Sequence, residues 1–162
     1  MNREQKLLIA QNVFEQEITT LKTIKNLLDD KFIEIEEAIV ACTGKVVLCG
    51  MGKSGHIAKK IAATFSSLGT PSFFLHPAEA MHGDLGMVSQ NDVVIMLSNS
   101  GETQEILSAI PSLKLIGAKL IAITGNEEST LAKECEIAQT IHIEKEALNP
   151  YSSDAVTARA SP

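Results

Sequence analysis

Gly50, Gly52 and Gly55, with Lys53 and Ser54 between them, follow directly on the apolar run Val46-Val47-Leu48 and precede a helical pattern from Ile57 to Phe65. A buried strand, a glycine-rich turn and a helix together suit an anion. Glycine lets backbone N–H groups close on a ligand, and the helix N-terminus carries partial positive charge. Lys53 adds an ammonium and Ser54 a hydroxyl donor at the same point. Two other uses of such a loop fail on their own terms. A dinucleotide site needs an acidic residue about 20 positions further on, and the stretch from Gly69 to His76 contains none. A Walker loop needs a glycine five residues before Gly52, where Val47 stands. The bland use of the same residues is a tight turn with no ligand.

A second turn repeats the chemistry. The apolar run Val93–Leu97 ends in Ser98-Asn99-Ser100-Gly101-Glu102-Thr103-Gln104-Glu105. One Ser, Thr, Asn or Asp suffices to cap a helix. Ser98, Asn99, Ser100 and Thr103 exceed that need, and all four can donate to phosphate oxygens beside helix N-terminal N–H groups.

The elements that must position these turns alternate in type. Residues 3–28 read as a long helix with Leu7, Phe14, Leu21 and Leu28 at every seventh position, a stripe that calls for a partner, either its own domain or a second subunit. Asp29-Asp30 can cap a second helix with Phe32, Ile35 and Ile39 on its apolar face and Gly44 as its stop. Strands are then expected at 46–49, 72–75, 93–97, 120–124 and 140–143, separated by helices to Leu68, over 101–116 and, capped by Ser129, to about Cys135. Pro111 is expected to bend the helix that contains it. Apolar strands alternating with helices give an α/β fold: a three-layer αβα arrangement with a five-stranded parallel sheet, preceded by two N-terminal helices. The strands' carboxyl ends share one edge, where such sheets bind ligands. The expected division is residues 1–44 as N-terminal helices, 45–146 as the core and 147–162 as an irregular tail.

Composition narrows the partners. A chain of 162 residues with 44% apolar content suits one domain with a real core. A net charge of −6 argues against a broad nucleic-acid or acidic-membrane surface, though a local basic site remains compatible with it. Cys42, Cys49 and Cys135 are scattered and odd in number, which fits a reducing compartment. The polar N-terminus has no signal-peptide core, and no run reaches membrane-spanning length. A cytoplasmic protein is expected.

The two turns G-M-G-K-S-G and S-N-S-G-E-T, each after a buried strand, resemble those of sugar isomerase (SIS) domains, which bind phosphosugars and have a flavodoxin-like sheet. The segment His76 to Gly86, HPAEAMHGDLG, narrows the resemblance to the arabinose-5-phosphate isomerases of the KpsF/GutQ type, from about Gly50 to Glu146. That resemblance implies interconversion of D-ribulose 5-phosphate and D-arabinose 5-phosphate, an intramolecular oxidoreductase reaction that feeds octulosonate for lipopolysaccharide or capsule and requires no cofactor. It implies catalytic roles for Lys53, Glu105, Glu146 and His82. Substrate or phosphate contacts are implied at Gly52, Ser54, Gly69, Thr70, His82, Ser98, Asn99, Ser100, Thr103 and His142. Zinc at His76 is a further implication, and a homo-oligomer is expected from family habit. Glu105 is preferred to Glu102 on family position alone, and which of Glu105 and Glu146 moves the proton is open. His56 is expected to pack locally.

The pattern breaks after Glu146. The family's next long helix, with its further histidine, has no counterpart, and the pair of CBS modules is absent. Three readings therefore stand side by side: the isomerase, a phosphosugar-binding module without catalysis, and an isomerase of another sugar phosphate. The segment HPAEAMHGDLG argues against the last.

Overall fold

The computed structural model describes residues 2–141. His142, Glu146 and the whole of the expected tail lie outside them. Among the described residues one compact unit starts at Leu28, and α1 (Arg3–Leu27) lies outside that unit. No residue of α1 is buried, and Leu7, Phe14 and Leu21 are exposed.

Within the compact unit, α2 (Asp30–Val40) starts where Asp29 accepts the N–H of Lys31. It ends four residues short of Gly44, the expected stop, with Ala41 as its cap. Gly44 instead ties the chain to the loop before the third strand. Its N–H donates to the Asn91 carbonyl at 3.0 Å, and a side chain there would collide with Asp92. Ile35 and Ala38 bury their helix against the sheet, whereas Phe32 is exposed.

Five strands follow, β1 (Val46–Gly50), β2 (Ser72–Leu75), β3 (Val93–Ser98), β4 (Lys119–Thr124) and β5 (Ile137–Thr140). They form one parallel sheet in the order β2-β1-β3-β4-β5. Four lie within two residues of expectation. The fifth corrects it: the strand begins at Ile137, not Thr140, and pairs Ile121–Thr124 with Ile137–Thr140. Ile137 and Gln139 turn inward and alternate with less buried neighbours, the pattern of an edge strand.

Side chains of successive strand residues point to opposite faces, so two cores form. Val47, Cys49, Val94, Met96, Leu120 and Ala122 meet α4 (Pro77–Ala80), α5 (Gln104–Ile116) and α6 (Thr130–Glu134). Val46, Leu48, Val93, Ile95 and Ile121 meet α2 and α3 (Gly52–Ser67). The crossovers leave the sheet centre in opposite directions, one through α3 to β2 and one through α5 to β4. Right-handed connections then require α3 and α5 on opposite faces, as found. At the amino edge, buried Asp92 accepts the N–H groups of Lys45 and Ser89 at 2.7 and 2.8 Å, locking two connections together. Gly117, at φ +85°, closes α5, which continues through Pro111 on its exposed side.

Candidate functional site

In this strand order, the direction of the crossovers reverses between the parallel strands β1 and β3: one runs on to β2 at its outer side, the other to β4. The crevice above that reversal, at the carboxyl edge, is where open α/β sheets receive ligands. Both turns singled out in the sequence open there. Met51 to Ser54 follows β1, and Asn99 to Thr103 follows β3.

The three glycines of the first turn do different jobs. Gly52 has φ +56° with open space around it, so it serves the backbone bend. Gly50 and Gly55 serve close approach. A Cβ on Gly55 would lie 2.7 Å from the Gly50 carbonyl oxygen, and one on Gly50 would lie 2.9 Å from the Ser54 carbonyl. Helix α3 thus starts hard against the end of β1. Lys53 is exposed on its first turn, and Ser54 is half-buried beside it.

Helix caps distinguish the helices that follow the two turns. Asp29 and Ser129 cap α2 and α6 with side-chain oxygens. Neither α3 nor α5 has a side-chain cap, and neither does the short α4. The first N–H groups of α3 and α5 have no intrahelical acceptor, and the first turn of α3 contains no acidic residue to balance its dipole. Two uncapped helix starts bracket the crevice, one with an exposed ammonium.

In the second turn, the hydroxyls divide their labour. Ser98 is buried; its hydroxyl lies 2.8 Å from that of Thr103 and accepts the Gly101 N–H at 3.1 Å. It shapes the loop. Asn99 and Ser100 are exposed, and the Ser100 hydroxyl accepts the Glu102 N–H. Helix α5 begins at Gln104, later than expected, because Gly101 takes φ +67°, outside the right-handed region that a helix interior requires. The two glutamates separate as well. Glu102 accepts the N–H of Thr130 at 2.7 Å, which with Lys133 nearby holds its carboxyl below the usual range. Glu105 is exposed in the first turn of α5.

The connection after β2 carries His76 at the carboxyl end of that strand and His82 six residues further on. His76 caps α4 by position, meets Phe74 edge-on at 6.2 Å and buries an Nδ1 with no hydrogen-bond partner among the described residues. Among the described residues no three His, Cys, Asp or Glu side chains are gathered as a metal site. His82 is exposed in the turn after α4, and His56 is exposed rather than packed.

Gly69 and Thr70 lie apart from these two turns. They close α3, with the Thr70 N–H on the Phe65 carbonyl at 2.9 Å, and they precede β2 at the opposite, amino edge. Proximity along the chain to strand β2 is no guide to which end of it a residue occupies. The Thr124–Asn126 turn, marked in the sequence only by a Gly-Asn pair after a strand, packs behind the second loop. The Gly125 N–H donates to the Asn99 carbonyl at 2.9 Å, and a Cβ on Gly125 would lie 2.6 Å from Asn99 Oδ1.

Among known proteins, the SIS domain family matches residues 39–160. Arabinose 5-phosphate isomerase KdsD of Pseudomonas aeruginosa is 48% identical over 152 residues, covering 91% of this chain and 47% of that protein. Arabinose 5-phosphate isomerase KpsF of Escherichia coli strain CFT073 is 46% identical over 153 residues, 92% of this chain and 47% of that protein. The chain thus spans about half the length of the curated relatives it matches. A solved Escherichia coli CFT073 protein in complex with arabinose 5-phosphate superposes with a TM-score of 0.88 at 43% identity, covering 98% of this chain and 87% of that one.

Proposed function

This chain belongs to the SIS domain family, and on that premise we propose that it interconverts D-ribulose 5-phosphate and D-arabinose 5-phosphate. The observation that carries the reading is the pair of uncapped helix starts on either side of the crevice, with Lys53 on one and Glu105 on the other. The relatives' names support the substrate.

The reaction moves one hydrogen between neighbouring carbons. A base removes the proton from C2 of the open-chain aldose, whose C1 aldehyde accepts the electron pair as an enediolate. Return of the proton to C1, with the hydroxyl proton passing from O2 to O1, leaves the ketose. Carbons C1 and C2 exchange oxidation state within one molecule, so no redox cofactor is required. The second loop and the first turn of α5 bind the phosphate through Asn99, Ser100, Thr103 and backbone N–H groups, while Gly52 and Ser54 border it from α3. The Lys53 ammonium stabilises the enediolate. Glu105 and Glu146 are the two carboxylates for the proton, Glu146 lying outside the described residues. His82 meets the sugar from the loop after α4, and His142 is a further substrate contact outside the described residues. Zinc is not required for this reaction.

The product feeds octulosonate for lipopolysaccharide or capsule. The exposed stripe of α1 supports a homo-oligomer, which sedimentation at micromolar concentration tests. No helix among the described residues is long and apolar enough to cross a membrane. With three free cysteines, the chain fits a cytoplasmic setting.

The experiment is incubation with D-arabinose 5-phosphate and assay of D-ribulose 5-phosphate, beside Lys53→Ala. Turnover in the native chain, and a loss of about 10²–10³ in kcat in the variant, is expected. Saturable binding without turnover would replace the isomerase by a binding module. Turnover undiminished in Lys53→Ala would remove the proposed role of Lys53.

A further inference from the structure

The loop between β3 and α5 holds Glu102 three residues before Glu105, yet its carboxylate is turned to a different part of the molecule. Its Oε1 accepts the N–H of Thr130 at 2.7 Å. One residue back, the Gly101 carbonyl accepts the N–H of Leu131 at 3.1 Å. The Ser129 side chain occupies the space a Cβ on Gly101 would need, and the Asn99 carbonyl accepts from Gly125. Residues 99 to 102 are thus pinned, contact by contact, to the end of β4 and the start of α6.

Pinning matters here for two reasons. Gly101 sits at φ +67°, and glycine is the residue whose backbone wanders most freely when unrestrained. A free carboxylate beside Ser100 would also repel a phosphate dianion. Drawing it onto the Thr130 N–H occupies its charge on the far side of the loop. Burial contributes nothing to this, since Glu102 is an exposed residue; the geometry does.

We infer that Glu102 is a positioning residue that clamps the phosphate-binding loop to the start of α6, and that it does not touch the sugar. The inference rests on the proposed reading that this loop receives the phosphate.

Three single variants of the full chain and one double variant test it. Glu102→Ala removes the acceptor. Glu102→Gln keeps an Oε1. Thr130→Pro removes the donor instead: Thr130 is the first residue of α6, where proline is tolerated, and Ser129 at φ −65°, ψ 157° already has the extended backbone that a residue before proline needs. Glu102→Ala and Thr130→Pro should each raise KM for D-arabinose 5-phosphate and the inhibition constant of inorganic phosphate about tenfold, with kcat held within about twofold. The double variant should be no worse than either alone, and Glu102→Gln should stay within about threefold of the native chain. Melting curves establish that each variant is folded.

Unchanged KM and phosphate inhibition in folded Glu102→Ala overturns the inference. So does a fall of kcat in Glu102→Gln as deep as in Glu102→Ala, which would put Glu102 on the reacting atoms. Calorimetric titration with inorganic phosphate separates the two readings. If the native chain binds phosphate without turning over the pentose, the isomerase reading falls, and the clamp is decided by the phosphate affinity of the variants. A native chain that binds no phosphate overturns both.

Discussion

Gly55→Ala should damage phosphate binding more than it damages stability. A methyl at Gly55 would lie 2.7 Å from the Gly50 carbonyl oxygen and 3.6 Å from Phe74 Cζ. Carbon–oxygen contacts of this kind settle at about 3.3–3.6 Å, so the start of α3 and the end of β1 must part by at least about 0.6 Å. The strand cannot yield easily, because Gly50 is paired with Leu97 in the middle of the sheet. The helix must move, and with it Lys53 and the first-turn N–H groups. Overpacking costs about 1–3 kcal/mol, while replacing glycine by alanine inside a helix returns about 1 kcal/mol. The net loss is about 0–2 kcal/mol, a fall in Tm of up to about 8 °C for a chain of this size. A shift of ångström order at a reacting centre costs up to about 10²-fold, so kcat/KM should fall by at least tenfold. Gly52→Ala is the comparison. Nothing lies within 4 Å of its Cβ, and only the backbone at φ +56° resists, at about 1–2 kcal/mol. Thermal melts and titration with inorganic phosphate read both variants. If folded Gly55→Ala keeps native phosphate affinity and turnover, close approach of helix and strand is not what builds this site.

Two further expectations concern other parts of the fold. Asp92→Ala strands the N–H groups of Lys45 and Ser89 at the amino edge; urea unfolding should show a loss of about 2–5 kcal/mol, with KM of the folded fraction unchanged. Burial pushes the thiols of Cys49 and Cys135 up to about 12, in Cys135 with help from Glu136. A folded-state pKa above the unfolded value of 9.0 means the native chain holds these protons longer, so the stabilisation is intact below pH 9 and drains away as pH rises toward 12. Melts from pH 8 to 11 should fall more steeply for the native chain than for Cys49→Ala, and iodoacetamide at pH 8 should leave Cys49 and Cys135 unlabelled until the chain unfolds.

The sequence by itself determined the alternation of strand and helix, and with it the carboxyl edge as the place for chemistry. Runs such as Val46–Leu48 and Val93–Leu97 are apolar on both faces because a central parallel strand is covered on both. It also marked both turns, because an excess of hydroxyls and glycines after a strand has few structural uses. The start of the fifth strand was harder to place. Pairing with β4 begins at Ile137, and register depends on a neighbour that local pattern does not contain.

Only the tertiary structure sorted residues of one type into different roles. Gly52 bends the chain while Gly50 and Gly55 make room for it, a distinction that depends on what a missing Cβ would strike. Ser98 turns inward to brace Thr103 while Ser100 stays exposed. Glu102 and Glu105 sit three residues apart, and it took α6, some 28 residues further along the chain, to occupy the first and leave the second exposed. Gly69 and Thr70 went to the opposite edge because strand direction, not nearness in sequence, decides which end of a parallel sheet a loop reaches. Residue type and spacing say what chemistry is available; contacts between distant segments say which copy of each residue is free to do it.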